Sequence, residues 1–76
     1  RVLLVEDDED SRLIYATMLH HAGYVVLEAR DGVAALRLAA QERPDVVLLD
    51  ISLPLLDGWE VAQRLKGDAA TRDIPV

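Results

Sequence analysis

Three short aliphatic runs in the chain are separated by segments in which apolar residues recur every three to four positions. The first run, residues 2–5, and the third, residues 46–49, lack the alternation of apolar and polar residues that marks a half-exposed strand. They predict short strands covered on both faces, as in a parallel sheet. The second run, residues 24–29, is rich in β-forming residues and lies between Gly23 and Asp31-Gly32, which predicts another strand bounded by turns.

The segment between the first two strands predicts a helix. Either Asp10 or Ser11 can cap its start, and Gly23 supplies a stop at its end. Ile14, Met18 and Ala22 are spaced by four residues and therefore fall on one face of this helix, where Tyr15 and Leu19 flank them.

Two further helices follow the second and third strands. Asp31 predicts an N-cap for a helix that runs through Gln41, and Pro44 prevents its continuation. Its inward positions are predicted to be Ala35, Leu36 and Ala39. The last helix is predicted from about Asp57 to Gly67, with an apolar pair four residues apart at Val61 and Leu65.

The resulting order is β-α-β-α-β-α, with connections of only a few residues. This alternation predicts an α/β fold with a parallel sheet, helices on both faces and right-handed crossovers. Residues 73–76 have the character of the start of a fourth strand. The chain does not begin with Met, so we expect residues 1–76 to be the N-terminal portion of one domain in a longer protein.

Composition narrows the possible functions. The chain of 76 residues carries a formal net charge of −6 and has no run of Lys or Arg, so we expect no direct binding of nucleic acid. It contains no Cys, which excludes disulfides and thiolate metal sites. The apolar runs are too short to span a membrane, and the acidic stretch after residue 5 is unlike a signal peptide. We therefore expect a cytoplasmic protein without membrane contact.

Carboxylates follow two of the predicted strands directly. Glu6 and Asp7 come after the first, and Asp50 comes after the third. If the first strand is central, these acids lie side by side at the sheet edge where α/β proteins bind ligands. Their mutual repulsion favours a hard divalent cation such as Mg²⁺, which binds carboxylate, water and phosphoryl oxygens. A carboxylate beside such an ion can also act as a nucleophile and form an aspartyl phosphate.

These residues carry a family resemblance. The segment Val5-Glu6-Asp7, Asp50 followed by Leu53-Pro54 and Asp57-Gly58, and the closing Asp73-Ile74-Pro75-Val76 together resemble the receiver domain of two-component response regulators. The resemblance covers the whole chain, and the combination of motifs is specific. It implies a flavodoxin-like, doubly wound parallel sheet of order 2-1-3-4-5. Of that fold, this chain holds the β1-α1-β2-α2-β3-α3 part.

The resemblance also implies a function in phosphorelay signalling. Asp50 resembles the phosphoacceptor, and a sensor histidine kinase or histidine phosphotransfer protein is the implied donor. Asp7 resembles the direct Mg²⁺ ligand, Glu6 the acid that holds the ion through water, and Ser52 the residue that offers its backbone carbonyl. The implied role is that of a signalling module and not of an enzyme. Self-catalysed phosphotransfer and dephosphorylation are expected in the complete domain, and the exposed edge of the third strand predicts self-association of the chain alone.

Two alternative functions use the same class of fold. A haloacid-dehalogenase-type phosphatase also places a nucleophilic Asp at a strand end beside Mg²⁺, but such enzymes have a second acid two residues later, where this chain has Ser52. A flavodoxin-like nucleotide or flavin binder should have a Gly-rich or Ser/Thr-rich loop after the first strand. The acidic residues 6–10 would instead repel phosphates unless a metal intervened.

Overall fold

A computed structural model describes residues 1–49 and 58–76 of the chain. Its helices and strands follow the predicted order. Their bounds are β1 Val2–Val5, α1 Glu9–His21, β2 Val26–Ala29, α2 Gly32–Glu42, β3 Val46–Leu49 and α3 Gly58–Gly67. The β-α-β-α-β-α alternation is thus confirmed.

The three strands form a parallel sheet of order β2-β1-β3. At the carboxyl end of the sheet, Val5 lies beside Ala29 on one side and Leu49 on the other. All four residues of β1 are buried, as expected for a central strand covered on both faces. The sheet therefore confirms both the parallel arrangement and the central place of the first strand.

The core lies between the sheet and the pair α2 and α3. Alternate residues of β1 and β3 point toward these helices, because successive side chains of a strand face opposite sides. The α2 positions predicted to face inward do so: Ala35 and Ala39 are buried, and Leu36 is half-buried against the core. The buried cluster consists of Leu3, Val5, Ala29, Ala35, Ala39, Val47, Val61, Leu65 and Ile74.

Helix α1 differs from its prediction in two respects. Its N-cap is Asp8, not Asp10 or Ser11, and the helix begins at Glu9. Its predicted apolar face is exposed, with Ile14 at 58% and Met18 at 64%, and α1 has no fully buried residue. The physical reason is orientation. The half-buried positions of α1 are 11, 12, 16 and 19, so a different face of the helix is turned toward the sheet.

An open groove lies between α1 and the face of the sheet opposite to α2 and α3. It has a volume of about 490 Å³, and its lining includes Leu4 and Leu48 from the strands and Tyr15 and Met18 from the helix. Leu4 and Leu48 are neighbours in the β1–β3 register. No element within residues 1–49 and 58–76 covers this groove, which explains why Met18 is exposed.

The boundaries of the remaining elements agree closely with expectation. Strand β2 begins at Val26, two residues later than predicted, because β1 offers only four residues for pairing and Val26 pairs with the first of them. Gly23 follows α1 with a φ of +97°, a conformation that favours glycine. Asp31 caps α2 by accepting a hydrogen bond from the Ala34 N–H at 2.8 Å.

The segment after α3 folds back against the sheet. The Thr71 hydroxyl donates to the Leu65 carbonyl at 2.7 Å, and the Lys66 ammonium donates to the Ile74 carbonyl at 2.8 Å. The Val47 N–H donates to the Pro75 carbonyl at 2.8 Å, so the end of the chain runs beside β3. No strand is assigned to residues 73–76, and the fourth strand stays a prediction. Within the part of the chain that the structure describes, every helix is too short or too polar to cross a bilayer.

Candidate functional site

Glu6 and Asp7 directly follow β1, the central strand of the sheet. The Glu6 N–H donates to the Ala29 carbonyl of β2 at 3.0 Å, which continues the pairing of the strands by one residue. Glu6 is half-buried, whereas Asp7 is exposed. The structure therefore places Glu6 and Asp7 directly after the carboxyl end of the central strand.

The side chain of Asp8 caps the start of α1. One of its carboxylate oxygens accepts a hydrogen bond from the Ser11 N–H at 2.9 Å. Hydrogen bonds from the side chain and the backbone of Ser11 hold the pKa of Asp8 below its usual value. The Asp8 N–H in turn donates to a Glu6 carboxylate oxygen at 3.2 Å. Asp8 is thus a helix cap and not a candidate ligand.

Asp7 lies between Glu6 and Asp8, whose carboxylates both accept hydrogen bonds. Within the described residues, its carboxylate has no recorded hydrogen bond or ion pair, although its neighbours on both sides are held in place. An exposed carboxylate on an ordered turn is suited to bind a cation from solution. That Asp7 is the direct ligand of the ion stays a prediction.

Arg12 contacts the backbone beside these acids, which its sequence position alone does not predict. It lies in the second turn of α1, and its Nη1 donates to the Glu6 carbonyl at 3.1 Å. Its Nε lies 3.4 Å from a carboxylate oxygen of Glu28 on β2. The only signal in the sequence is that Arg12 is the single Lys or Arg between residues 2 and 29, directly after five acids and a serine.

The third strand ends beside the first. Leu49 is the register partner of Val5, so β1 and β3 end at the same edge of the sheet. Asp50 and Ser52, which the sequence assigns to the site, lie outside the described residues, as does Asp57. The predicted juxtaposition of Asp50 with Glu6 and Asp7 therefore stays a prediction.

The donor set of this edge suits a hard cation. Among residues 1–49 and 58–76 there is no group of three or more acidic, His or Cys side chains that could hold a metal. Glu6 and Asp7 provide two carboxylates, and Mg²⁺ is usually bound by only one or two carboxylates together with waters and phosphate oxygens. The oxygen ligands present thus fit Mg²⁺.

The topology places a ligand site at this same edge. The chain passes from β2 on one side of β1 to β3 on the other, and such a change of winding direction leaves a crevice at the carboxyl ends of the strands. Fold and site together define a doubly wound α/β protein with an acidic ligand edge.

Comparison with known proteins gives the family. The family profile of the response regulator receiver domain matches residues 2–76, and the chain belongs to this family. The assignment agrees with the receiver interpretation of the sequence and selects it over the phosphatase and flavin-binding alternatives. The chain is therefore a receiver domain of the kind that works in two-component phosphorelay signalling.

Individual relatives agree with this assignment. The chain is 43% identical over 76 residues to the DNA-binding dual master transcriptional regulator RpaA of Synechocystis sp., of which it covers 32%. The N-terminal domain of a response regulator receiver protein from Methanoculleus marisnigri superposes with a TM-score of 0.95 at 43% identity. That match covers 99% of this chain and 61% of the other.

A third relative was solved with a metal. The receiver domain of a sensor histidine kinase from Pseudomonas aeruginosa has a magnesium ion coordinated in its active site cleft. It superposes with a TM-score of 0.93 at 35% identity, covering 97% of this chain and 61% of that one. The 76 residues thus span about a third of the curated regulator and under two thirds of each of these solved chains.

Proposed function

We propose that this chain accepts a phosphoryl group on the carboxylate of Asp50 in a reaction that depends on Mg²⁺. The donor is a phosphohistidine of a sensor histidine kinase or a histidine phosphotransfer protein. The observation that carries the proposal is the register of β1 and β3, in which Val5 lies beside Leu49. It supports a site to which the residues after both strands contribute.

Chain geometry links Asp50 to this register. Asp50 is the residue after Leu49, and consecutive Cα atoms are about 3.8 Å apart. Glu6 follows Val5 in the same way, so each of the two acids comes one residue after a member of the pair Val5 and Leu49. We infer that Asp50 faces the same crevice as Glu6 and Asp7, which gives it the neighbours that an aspartyl phosphate requires.

Each residue has a distinct role in the proposed transfer. An Asp50 carboxylate oxygen forms a bond to phosphorus while the bond between phosphorus and the imidazole nitrogen breaks. The electron pair of the broken bond stays on that imidazole nitrogen, and because the other ring nitrogen carries a proton the leaving group is neutral histidine. Asp7 would hold the ion directly, Glu6 would hold it through water, and Ser52 would offer its backbone carbonyl. When bound, Mg²⁺ supplies positive charge that offsets the charge on the phosphoryl oxygens.

The biological role that follows is regulation. A phosphoryl group adds negative charge and strong hydrogen-bond acceptors, which can shift a protein between two conformations. We propose that phosphorylated Asp50 switches an output domain or partner in this way. The chain then acts as a signalling module that contributes to its own phosphorylation and dephosphorylation, and not as an enzyme that turns over a separate substrate.

A small phosphoryl donor tests the proposal without knowledge of the kinase. The protein that carries this chain is incubated with acetyl phosphate in the presence of Mg²⁺ or of excess EDTA, and its intact mass is measured. We expect the mass of one phosphoryl group to be added with Mg²⁺ and to be absent with EDTA. No gain of mass with Mg²⁺, or an equal gain in EDTA, would contradict the proposal.

Binding of the ion should also stabilise the fold through Asp7. A ligand that binds only the folded state stabilises it by RT ln(1 + [L]/Kd), or about 2.7 kcal/mol at a hundred times Kd. We expect Mg²⁺ to raise the melting temperature of the wild type and to raise that of Asp7→Asn far less. Without Mg²⁺, Asp7→Asn should be at least as stable as the wild type, because one of the repelling charges is gone.

The matched control for this experiment is Asp10→Asn. Asp10 is an exposed acid in the first turn of α1, so its replacement makes the same change of charge a few residues from Asp7. We expect Asp10→Asn to retain most of the rise in melting temperature with Mg²⁺. An equal rise in the wild type and in Asp7→Asn would mean that the ion binds elsewhere.

A further inference from the structure

We infer that Arg12 is a positioning residue for the cation site: it holds the backbone on which Glu6 and Asp7 stand and thereby sets the affinity for a divalent ion. The inference rests on the proposed function, because it concerns the same ion. It adds a basic residue of α1 to a site that otherwise consists of acids. Arg12 acts through the backbone and touches neither the ion nor the phosphoryl group.

The guanidinium of Arg12 joins three elements. Its Nη1 donates to the Glu6 carbonyl at the end of β1, and its Nε pairs with the Glu28 carboxylate on β2. The side chain of Arg12 is only 19% exposed, so its bond to the Glu6 carbonyl is partly sheltered from water, whereas the Glu28 side chain is 48% exposed. A planar guanidinium can hold two partners at once in a defined geometry, which the single ammonium of a lysine cannot reproduce.

Hydrogen bonds hold the peptide groups on both sides of Glu6. The Glu6 N–H donates to Ala29, and the Glu6 carbonyl, whose carbon is bonded to the nitrogen of Asp7, accepts from Arg12. Among the described residues the Asp7 side chain has no hydrogen-bond or ion-pair partner, so within that part of the chain its carboxylate is positioned through the backbone that carries it. Loss of Arg12 would release this carbonyl and widen the range of positions that the Asp7 carboxylate samples.

The positive charge of Arg12 and its contacts with the backbone predict opposite changes in cation affinity when Arg12 is replaced. The inference can therefore be tested. A positive charge near a cation site weakens binding of the cation through Coulomb repulsion. Glu28 offsets that charge by pairing with Arg12. If the charge of Arg12 mattered most, its removal would tighten binding of a divalent ion. If its contacts with the backbone matter most, its removal weakens binding, and we expect the second result.

The experiment measures Mn²⁺ affinity directly in the protein that carries this chain. Free Mn²⁺ is followed by electron paramagnetic resonance, and the binding that Asp7→Asn removes defines the site. The variants are Arg12→Gln, which removes both the charge and the planar guanidinium, and Arg12→Lys, which keeps the charge but not the guanidinium. Arg37→Gln is the control, because it makes the same change of charge at an exposed position of α2. Circular dichroism at the titration temperature verifies that each variant is folded.

We expect Arg12→Gln to bind Mn²⁺ about tenfold more weakly, at the low end of the roughly 10–100-fold range for partners that orient metal ligands. Arg12→Lys should fall between it and the wild type, and Arg37→Gln should match the wild type. Affinity in Arg12→Gln equal to or tighter than that of the wild type would overturn the inference. If Arg12→Gln does not fold, wild-type affinity in Arg12→Lys would overturn it. A wild type without an Asp7-dependent site would overturn the proposed cation site as well, which separates the two failures.

Discussion

Replacement of Asp50 by Asn is expected to abolish phosphorylation of the protein that carries this chain. The amide of Asn has almost the same shape as the carboxylate, but it carries no negative charge and is a poor nucleophile toward phosphorus. It also removes one of the proposed carboxylate ligands of Mg²⁺. We therefore expect incorporation from acetyl phosphate to fall to the level of the EDTA control, as measured by intact mass.

Asp45→Asn is the matched control for this variant. Asp45 is an exposed acid that precedes β3, at the end of the strand opposite to Asp50. The same chemical change there removes an equal charge directly before the strand without touching the proposed site. We expect Asp45→Asn to be phosphorylated at the wild-type rate. Phosphorylation of Asp50→Asn at that rate would exclude Asp50 as the acceptor.

The largest loss of stability is expected for Leu3→Ala. Leu3 lies in the central strand and is fully buried in the core. Removal of a buried leucine side chain costs about 2–5 kcal/mol, because apolar burial is lost and a cavity remains. Small domains have total stabilities of about 5–15 kcal/mol, so this loss is a large share of the whole. Unfolding in urea, followed by circular dichroism, measures the difference from the wild type.

The same replacement at Leu13 provides the comparison. Leu13 is 66% exposed on α1, so its truncation removes little buried surface, and Ala favours a helix at least as well as Leu. We expect Leu13→Ala to change the free energy of unfolding by less than about 0.5 kcal/mol, as is usual for surface substitutions. A loss equal to that in Leu3→Ala would contradict the described packing of α1.

The strands were predictable because their sequence pattern has a single physical interpretation. Residues 2–5 and 46–49 have no polar position that could face water, and such runs are stable only inside a sheet covered on both faces. The structure confirms the bounds of both strands residue for residue, but only β1 is buried throughout, because Leu48 of β3 is 42% exposed toward the open groove beside α1. The end of β1 and the acids that follow it could be located for the same reason, since a strand of this kind must stop where consecutive charges begin.

The orientation of α1 was not predictable from its own sequence. Its apolar residues occupy more than one face, and periodicity alone cannot tell which face the sheet will cover. The cap was ambiguous as well, because residues 7–11 offer five side chains that can accept hydrogen bonds from a helix start. In the structure Asp8 takes this role and accepts a hydrogen bond from the Ser11 N–H.

Arg12 could not be found from sequence for a different reason. Its partners are a backbone carbonyl six residues earlier and a carboxylate sixteen residues later, and neither spacing is a recognised motif. Only the packing of α1 across β1 and β2 brings the three groups together. Periodicity and motif spacing therefore predict the acids of the site but not the contact that orders their backbone.

The most direct measurement of the central claim locates the phosphoryl group itself. After reaction with acetyl phosphate and Mg²⁺, the acyl phosphate is reduced with borohydride and the protein is digested with trypsin. The peptide of residues 38–64, with the bond before Pro44 uncut, contains Asp45, Asp50 and Asp57, so its fragment ions distinguish the three acids. The account predicts modification of Asp50 alone. Modification at Asp45, Asp57 or any residue outside this peptide, with Asp50 unchanged, would contradict it.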